Sequence, residues 1–436
     1  MMKAKMVDIC RSIMKVGKDD PRRVIHSVKV GFALTLVSIL YYYEPLYQNF
    51  GVSAMWAVIT VVVVFEYSVG ATIGKGLNRG MATLLAAALG IGAHHLAILS
   101  GHIAQPFLLA LFVFLQAAIT TFMRFFPKIK ARYDYGMLIF ILTFSLISVS
   151  GYRVDEIINL AHKRLSTILI GSSACLVIST LISPVWAGQD LHNLVALNME
   201  KVANFLLGFG AEYFKASEDD KSCLEAYKSV LNSKTTEESL ANFARWEPAH
   251  GRFQFRHPWN QYLQLAALTR QCAYRIEALN GYLNSDIKTS VEIRSVIQET
   301  CTKISKESGR ALMELSIAVK KMNQPCSAHT VHIENAKRAA KSLKSLLKSN
   351  PWGDNYDLLQ VISVVTVASI LIDMVNCTEK LAESVFELAS KANFKKQEPT
   401  ANVSSDKSLQ NVKSPPTVDC HHTVINIPED RTTILL

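Results

Sequence analysis

Six stretches of this sequence are nearly free of charge and about as long as a bilayer-crossing helix: roughly residues 24–43, 53–69, 80–99, 104–123, 135–150 and 165–183. A helix rises about 1.5 Å per residue, so about 20 apolar residues span the hydrocarbon core. The fifth stretch is short but borrows Tyr133–Tyr135 and Gly151–Tyr152 at its ends. Backbone in lipid must satisfy its own hydrogen bonds, which makes helices the solution for such runs. The pattern predicts six transmembrane helices. The first run lacks a small-residue cleavage site and is followed by further spans, so it does not read as a signal peptide.

Loop charge sets the expected orientation. The segment before the first run carries Lys3, Lys5, Arg11, Lys15, Lys18, Arg22 and Arg23. The second loop carries Lys75 and Arg79, and the fourth Arg124, Lys128, Lys130 and Arg132. The first loop has only Glu44, the third has no formal charge, and the fifth mixes Arg153, Lys163 and Arg164 with Asp155 and Glu156. Cations in the even-numbered loops place both termini in the cytoplasm. The cysteines then fall in cytoplasmic segments or, for Cys175, in the sixth span, so reduced thiols are expected. The formal net charge is +10, and residues 1–184, with 17 Lys+Arg against 8 Asp+Glu, supply +9 of it. The basic excess belongs to the apolar half, which argues against a nucleic-acid partner.

From about residue 188 the pattern becomes that of soluble helices, with apolar residues at i, i+3 and i+4: Leu191, Leu194, Val195, Val202, Phe205 and Leu206. Helices are expected at about 188–215, 219–232, 236–245, 259–284, 289–322, 331–349 and 354–393. Period-2 strand patterns are missing. The apolar run within 357–375 is bounded by Asp357, Gln360 and Asp373, which suits a buried core helix better than a seventh span. The expected organisation is all-α: a cytosolic segment at 1–20, a six-helix transmembrane pore domain at 21–186, a cytosolic helical domain at 187–395 and a disordered tail at 396–436. The first segment has Met6, Ile9, Cys10, Ile13 and Met14 at helical spacing among lysines, as on an amphipathic helix at a membrane surface or against the cytosolic domain.

The sequence carries no nucleophile elbow, Walker A loop, zinc-protease helix or paired C-x-x-C, so it does not read as an enzyme. Cys420-His421-His422 sits in the expected tail without partner ligands, and no metal or cofactor is expected. The informative residues are the cations in or beside the spans, because an ionisable group at hydrocarbon depth is costly unless paired or hydrated. Lys75 and Arg79 are four apart and share a helical face if the third helix starts near Gly70. Gly70 and Gly74, and Gly76 and Gly80, repeat that spacing and suit close helix packing. Two readings stand for the cations, a pore lining or a positive-inside anchor. Arg164 opens the sixth span at its outer end, where an anchor is not expected, and so reads as a pore residue. Lys29 and Arg124 read first as interfacial anchors and second as pore or interface residues. Glu66 reads first as the ion-pair partner of a lysine or arginine on a neighbouring helix and second as a pore or gating residue.

The segments "KDDPRRVIHSVKVGFALTLVSILYYYEP", "MWAVITVVVVFEYSVGATIGKGLNRG", "YDYGMLIFILTFSLISVSGYR", "AHKRLSTILIG", "PVWAGQDLH" and "FARWEPAHGRF" together resemble the plant aluminium-activated malate transporter family. The resemblance is collinear over about residues 15–395. It implies a homodimeric anion channel in the lipid bilayer that passes malate and other organic or inorganic anions. It also implies pore roles for Arg79 and Arg164, and for Lys75 in the glycine-rich stretch. The chain looks most like the plasma-membrane malate-efflux branch, with vacuolar and guard-cell relatives as alternatives. Activation by extracellular aluminium would require outward-facing oxygen ligands, and the outside loops offer Glu44, Asp155 and Glu156. The rival readings are a proton-coupled organic-anion carrier, with His94 and His95 as a relay, and a membrane-anchored scaffold.

Overall fold

A computed structural model describes residues 8, 11, 14–42, 55–101, 103–150, 154–214, 225–283, 291–349, 352 and 358–396. The expected tail from residue 397 onward, and Glu44 in the first loop, lie outside the described residues. The described residues form helices joined by turns, with two isolated bridges and no strand. Contacts divide the chain into two units.

The first unit contains α1 (Pro21–Tyr42), α2 (Met55–Val64), α3 (Val69–Leu99), α4 (Gln105–Met123), α5 (Pro127–Ser150) and α6 (Val154–Leu181). The residues from Asn242 to Glu247 also belong to it. The apolar runs locate these helices but misjudge their ends. α2 stops at Val64, α3 begins at Val69 rather than near 80, and α5 and α6 begin at Pro127 and Val154. The extra turns are polar or mixed in sequence, so a search for apolar runs passes over them. α3 is started by Ser68, whose side chain accepts from Ala71 N at 3.3 Å, while Val69 N donates to Val185 O at 2.9 Å. The first pairing satisfies an amide that every helix start leaves without a partner.

By length and composition, α3, α4 and the part of α6 from His162 can each cross a membrane, whereas α2 is very apolar but only 10 residues long. On α4, Phe107, Leu111, Phe114, Leu115, Ile119 and Phe122 are all exposed, and only Thr120 is buried. A helix apolar all round with its large side chains outward is suited to lipid. The inner faces use small residues. Gly90 of α3 lies against Ile147 of α5, and Gly171 of α6 lies against the Ala57 carbonyl and Thr60 of α2. A methyl added at Gly171 would come within 2.8 Å of that carbonyl.

The second unit contains α7 (Ala187–Phe214, from Gly188), α8 (Lys228–Leu231), the greater part of α9 (Lys234–Ala244), α10 (Trp259–Leu283), α11 (Val291–Lys321), α12 (Ala328–Lys348) and α13 (Leu358–Lys391). These match the soluble helices expected from sequence, except that the one anticipated over 219–232 is described only as the short α8. α7 buries Leu191, Val195, Met199, Val202, Phe205, Leu206 and Phe209 along one face. Each such side chain contributes roughly 1.5–3 kcal/mol on leaving water. α13 from Val361 is also apolar enough to span a membrane. It packs on α10 and α11 through the fully buried Val364, Val367, Leu371 and Met374.

A buried histidine cluster lies beside α7. The His192 ring lies 3.0 Å from Tyr262 Oη through Nδ1 and 3.3 Å from Lys320 O through Nε2, and His257 Nε2 lies 3.4 Å from the same hydroxyl. Burial, then the neighbouring His192 and His250, push the His257 imidazole down to about 4. An unfolded chain, whose histidine titrates near about 6.5, binds that proton more readily. The resulting stability is present above about pH 6.5 and lost as pH falls toward about 4, roughly 3 kcal/mol in full. The thermal midpoint is expected to be level above pH 6.5 and to fall below it, and His257→Gln to flatten that fall. A midpoint equally steep in His257→Gln would remove this residue as the cause.

Candidate functional site

The stretch from Phe65 to Gly80 holds the cations singled out from sequence, and the structure makes most of it helix. With α3 starting at Val69, Lys75 and Arg79 lie on its second and third turns. Lys75 Nζ is paired with the Glu66 carboxylate, the kind of partner expected for Glu66, and lies 5.7 Å from the Tyr135 ring centroid. Both charged side chains are about one-third exposed. Lys75 is therefore a partly neutralised cation at the start of the helix.

The glycines do not all act as expected. Gly70 and Gly74 do sit in tight contacts, but against the Asn242–Glu247 segment rather than a neighbouring membrane helix. Gly70 lies against the Phe243 carbonyl, and a methyl on Gly74 would come within 2.9 Å of the Trp246 ring. Gly80 has open space around it, and Gly76 makes only ordinary contacts with Val64 and Ser172. The Arg132 guanidinium lies 4.7 Å from the Trp246 ring centroid, and Asn78 Nδ2 donates to Arg132 O at 2.9 Å. Glu247 Oε1 accepts from Ala187 N at 2.6 Å. Trp246-Glu247 thus clips the start of α3 to α5 and to the chain following α6.

Arg79 is 4% exposed. Its Nη1 donates to Tyr135 Oη at 2.9 Å, and its Nε has no partner among the described residues. Arg164 is 5% exposed and lies 4.0 Å over the ring of Trp56. Neither arginine pairs with a carboxylate among the described residues. α6 begins at Val154, so Arg164 lies ten residues, about 15 Å, from the start of the helix, but near the start of the part from His162 that is long and apolar enough to cross a membrane. The helix continues through the mixed sequence "VDEIINLA", which an apolar-run reading assigns to a loop. Arg79 lies equally far inside α3.

The two helices are antiparallel, since Val69 meets Val185 and Gly76 faces Ser172. From that level Arg79 is three residues and Arg164 eight residues along the same direction. Their positions therefore differ by about 7–8 Å along the axis. The guanidinium groups lie within Coulomb range of each other. Two like charges buried together without an acid are each disfavoured by several kcal/mol. An anion between them would offset that cost, and a carboxylate matches the paired N–H groups of a guanidinium.

The remaining cations have structural partners. Lys29 is buried and donates from Nζ to Ser183 O at 2.8 Å, latching α1 to the residues just after α6. Arg124 grips both oxygens of Asp134, at 2.7 and 3.2 Å, across the α4–α5 turn. His94 is buried and its Nδ1 has no partner among the described residues, while His95 is exposed. Asp155 and Glu156 fall in the first turn of α6, with side chains outside the described residues. The described residues hold no metal-binding group of three or more His, Cys, Asp or Glu.

Sequence reasoning missed Trp56, Tyr135 and the docking role of Trp246. Trp56 opens the second apolar run and Tyr135 stands in "YDYG", so each was visible as an aromatic beside a span. Their cationic partners lie in distant parts of the chain.

Comparison with known proteins gives a consistent result. The family described as "Aluminium activated malate transporter" matches residues 14–353. "Aluminum-activated malate transporter 2" of Arabidopsis thaliana is 56% identical over 428 residues, covering 96% of this chain and 85% of that protein. "Aluminum-activated malate transporter 1" of the same plant is 52% identical over 440 residues, covering 98% and 89%. "Aluminum-activated malate transporter 1" of Triticum aestivum is 46% identical over 407 residues, covering 90% and 87%.

Proposed function

We propose a mechanism from one premise: the chain belongs to the aluminium-activated malate transporter family, and its two buried arginines are the anion site of that transport. The protein is a multi-pass membrane transporter rather than an enzyme, and on our reading it passes malate and related anions through a channel. The observation that carries this is the burial of Arg79 and Arg164 within Coulomb range of each other, with no carboxylate paired to either among the described residues. Cations lining a path attract anions and repel cations, and separated cations bind an anion firmly enough to admit it yet weakly enough to release it. Lys75, tempered by Glu66, is a mouth residue.

In this reading α1 to α6 are six transmembrane helices with both termini cytoplasmic, and the second unit is a cytosolic domain. Two chains form a homodimer, which doubles each cation along the path. The membrane is the plasma membrane, where the negative cell interior drives anions outward. A proton-coupled carrier needs a free carboxylate or histidine relay. Glu66 and Asp134 are both paired with cations, which counts against the carboxylate route, and the buried His94 is the remaining candidate for a relay.

Purified protein in malate-loaded liposomes is expected to release malate faster as the interior is made negative, with no dependence on a pH gradient. Release that follows the pH gradient would support the carrier, and no release would support the scaffold. Activation by aluminium is the finer part of the proposal, with Asp155, Glu156 and Glu44 as oxygen donors to a hard cation. Replacing Asp155 and Glu156 with their amides is expected to remove aluminium stimulation of the current. Unchanged stimulation would exclude these two as its sensor.

A further inference from the structure

We propose that Trp56 is a selectivity residue: by covering one face of the Arg164 guanidinium, it presents that group edge-on to the permeating anion and so favours dicarboxylates over chloride. This rests on the reading of Arg164 as a pore cation. The guanidinium carbon lies 4.0 Å from the indole centroid, close enough for face-to-ring stacking.

The backbone that carries Trp56 is fixed against α6. Thr60 Oγ1 donates to Trp56 O at 2.6 Å on α2. One turn further along α2, Thr60 and the Ala57 carbonyl meet Gly171 of α6 with no room for a Cβ. That contact fixes the separation of the two helices seven residues from Arg164. On α6 itself, Thr167 Oγ1 donates to Arg164 O at 2.9 Å, which leaves the guanidinium as the group of Arg164 available to a ligand.

The chemistry follows from the shape of the two ions. A guanidinium offers donors in its plane, and its paired N–H groups match the two oxygens of a carboxylate. A chloride ion is a single spherical acceptor and cannot offer each N–H of the fork its own atom. Stacking on Trp56 covers one face and restrains rotation of the plane, so the fork is already oriented when the anion arrives. Without the ring, water and chloride reach a freely turning cation and the advantage of the dicarboxylate shrinks.

The test is the reversal potential of the full chain under voltage clamp, with malate inside and chloride outside. The malate-to-chloride permeability ratio does not depend on how many channels reach the surface. Trp56→Leu is expected to lower it about ten-fold, while Trp56→Phe and Trp56→Tyr fall between Leu and Trp. A wild-type ratio in Trp56→Leu would overturn the proposal. If Trp56→Leu passes no current, the aromatic variants decide: a ratio identical in Trp, Tyr and Phe would also overturn it. Failure of the underlying reading looks different, because Arg164→Ala would then keep both its current and its ratio.

Discussion

Arg164→Glu will abolish the anion current while the protein still reaches the cell surface. The residue is 5% exposed, lies about 15 Å inside α6, and is within Coulomb range of Arg79. A glutamate there exchanges two mutually repelling cations for an ion pair, so an anion meets no net positive charge at that depth. The expected loss is on the order of 100-fold in malate current, from removal of a desolvated charge site. Arg164→Lys is expected to fall between the two, because it keeps the charge but loses the planar fork. Surface biotinylation separates a blocked pore from a protein that never arrives. Wild-type current in Arg164→Glu would remove this residue from the path.

The largest stability effect is expected from Glu237→Ala. Glu237 is 1% exposed and accepts from Arg270 Nη1 at 2.5 Å, Ser233 Oγ at 2.7 Å and Asn198 Nδ2 at 3.2 Å. The network joins α7, α9 and α10 in the second unit. Truncating the acid leaves a buried guanidinium uncompensated, at a cost of about 3–5 kcal/mol. The thermal midpoint of the purified protein should drop by several degrees. Adding Arg270→Met should recover part of the loss, because an apolar side chain of similar volume needs no partner. A double variant less stable than Glu237→Ala alone would contradict this account.

How far the sequence led depends on the range of the interaction. Hydrophobic periodicity located the helices of both units, since periodicity is local and burial follows it. It placed Lys75 and Arg79 on one helical face through their spacing of four residues. It left the membrane helices too short wherever a polar turn continued the helix. For that reason the turns of α6 before His162 read as a loop. The glycine spacing announced close approach at Gly70 and Gly74 but not its partner, because Phe243 and Trp246 lie far along the chain. Tyr135 and Trp56 were hidden for the same reason. Their pairings with Arg79 and Arg164 exist only once α5 meets α3 and α2 meets α6. Lys29 and Arg124 show the converse. Each looked like an interfacial cation in sequence, and each proves to have one specific partner, the Ser183 carbonyl or the Asp134 carboxylate.

The central claim is that this chain conducts malate passively past two buried arginines. The most direct measurement is the reversal potential of the expressed protein as external malate is raised tenfold at constant pH. A tenfold gradient corresponds to about 1.36 kcal/mol, and two charges feel about 4.6 kcal/mol per 100 mV. A channel selective for the divalent anion therefore predicts a shift of about 30 mV toward negative potentials. A reversal potential that ignores malate and moves with the pH gradient would contradict the account.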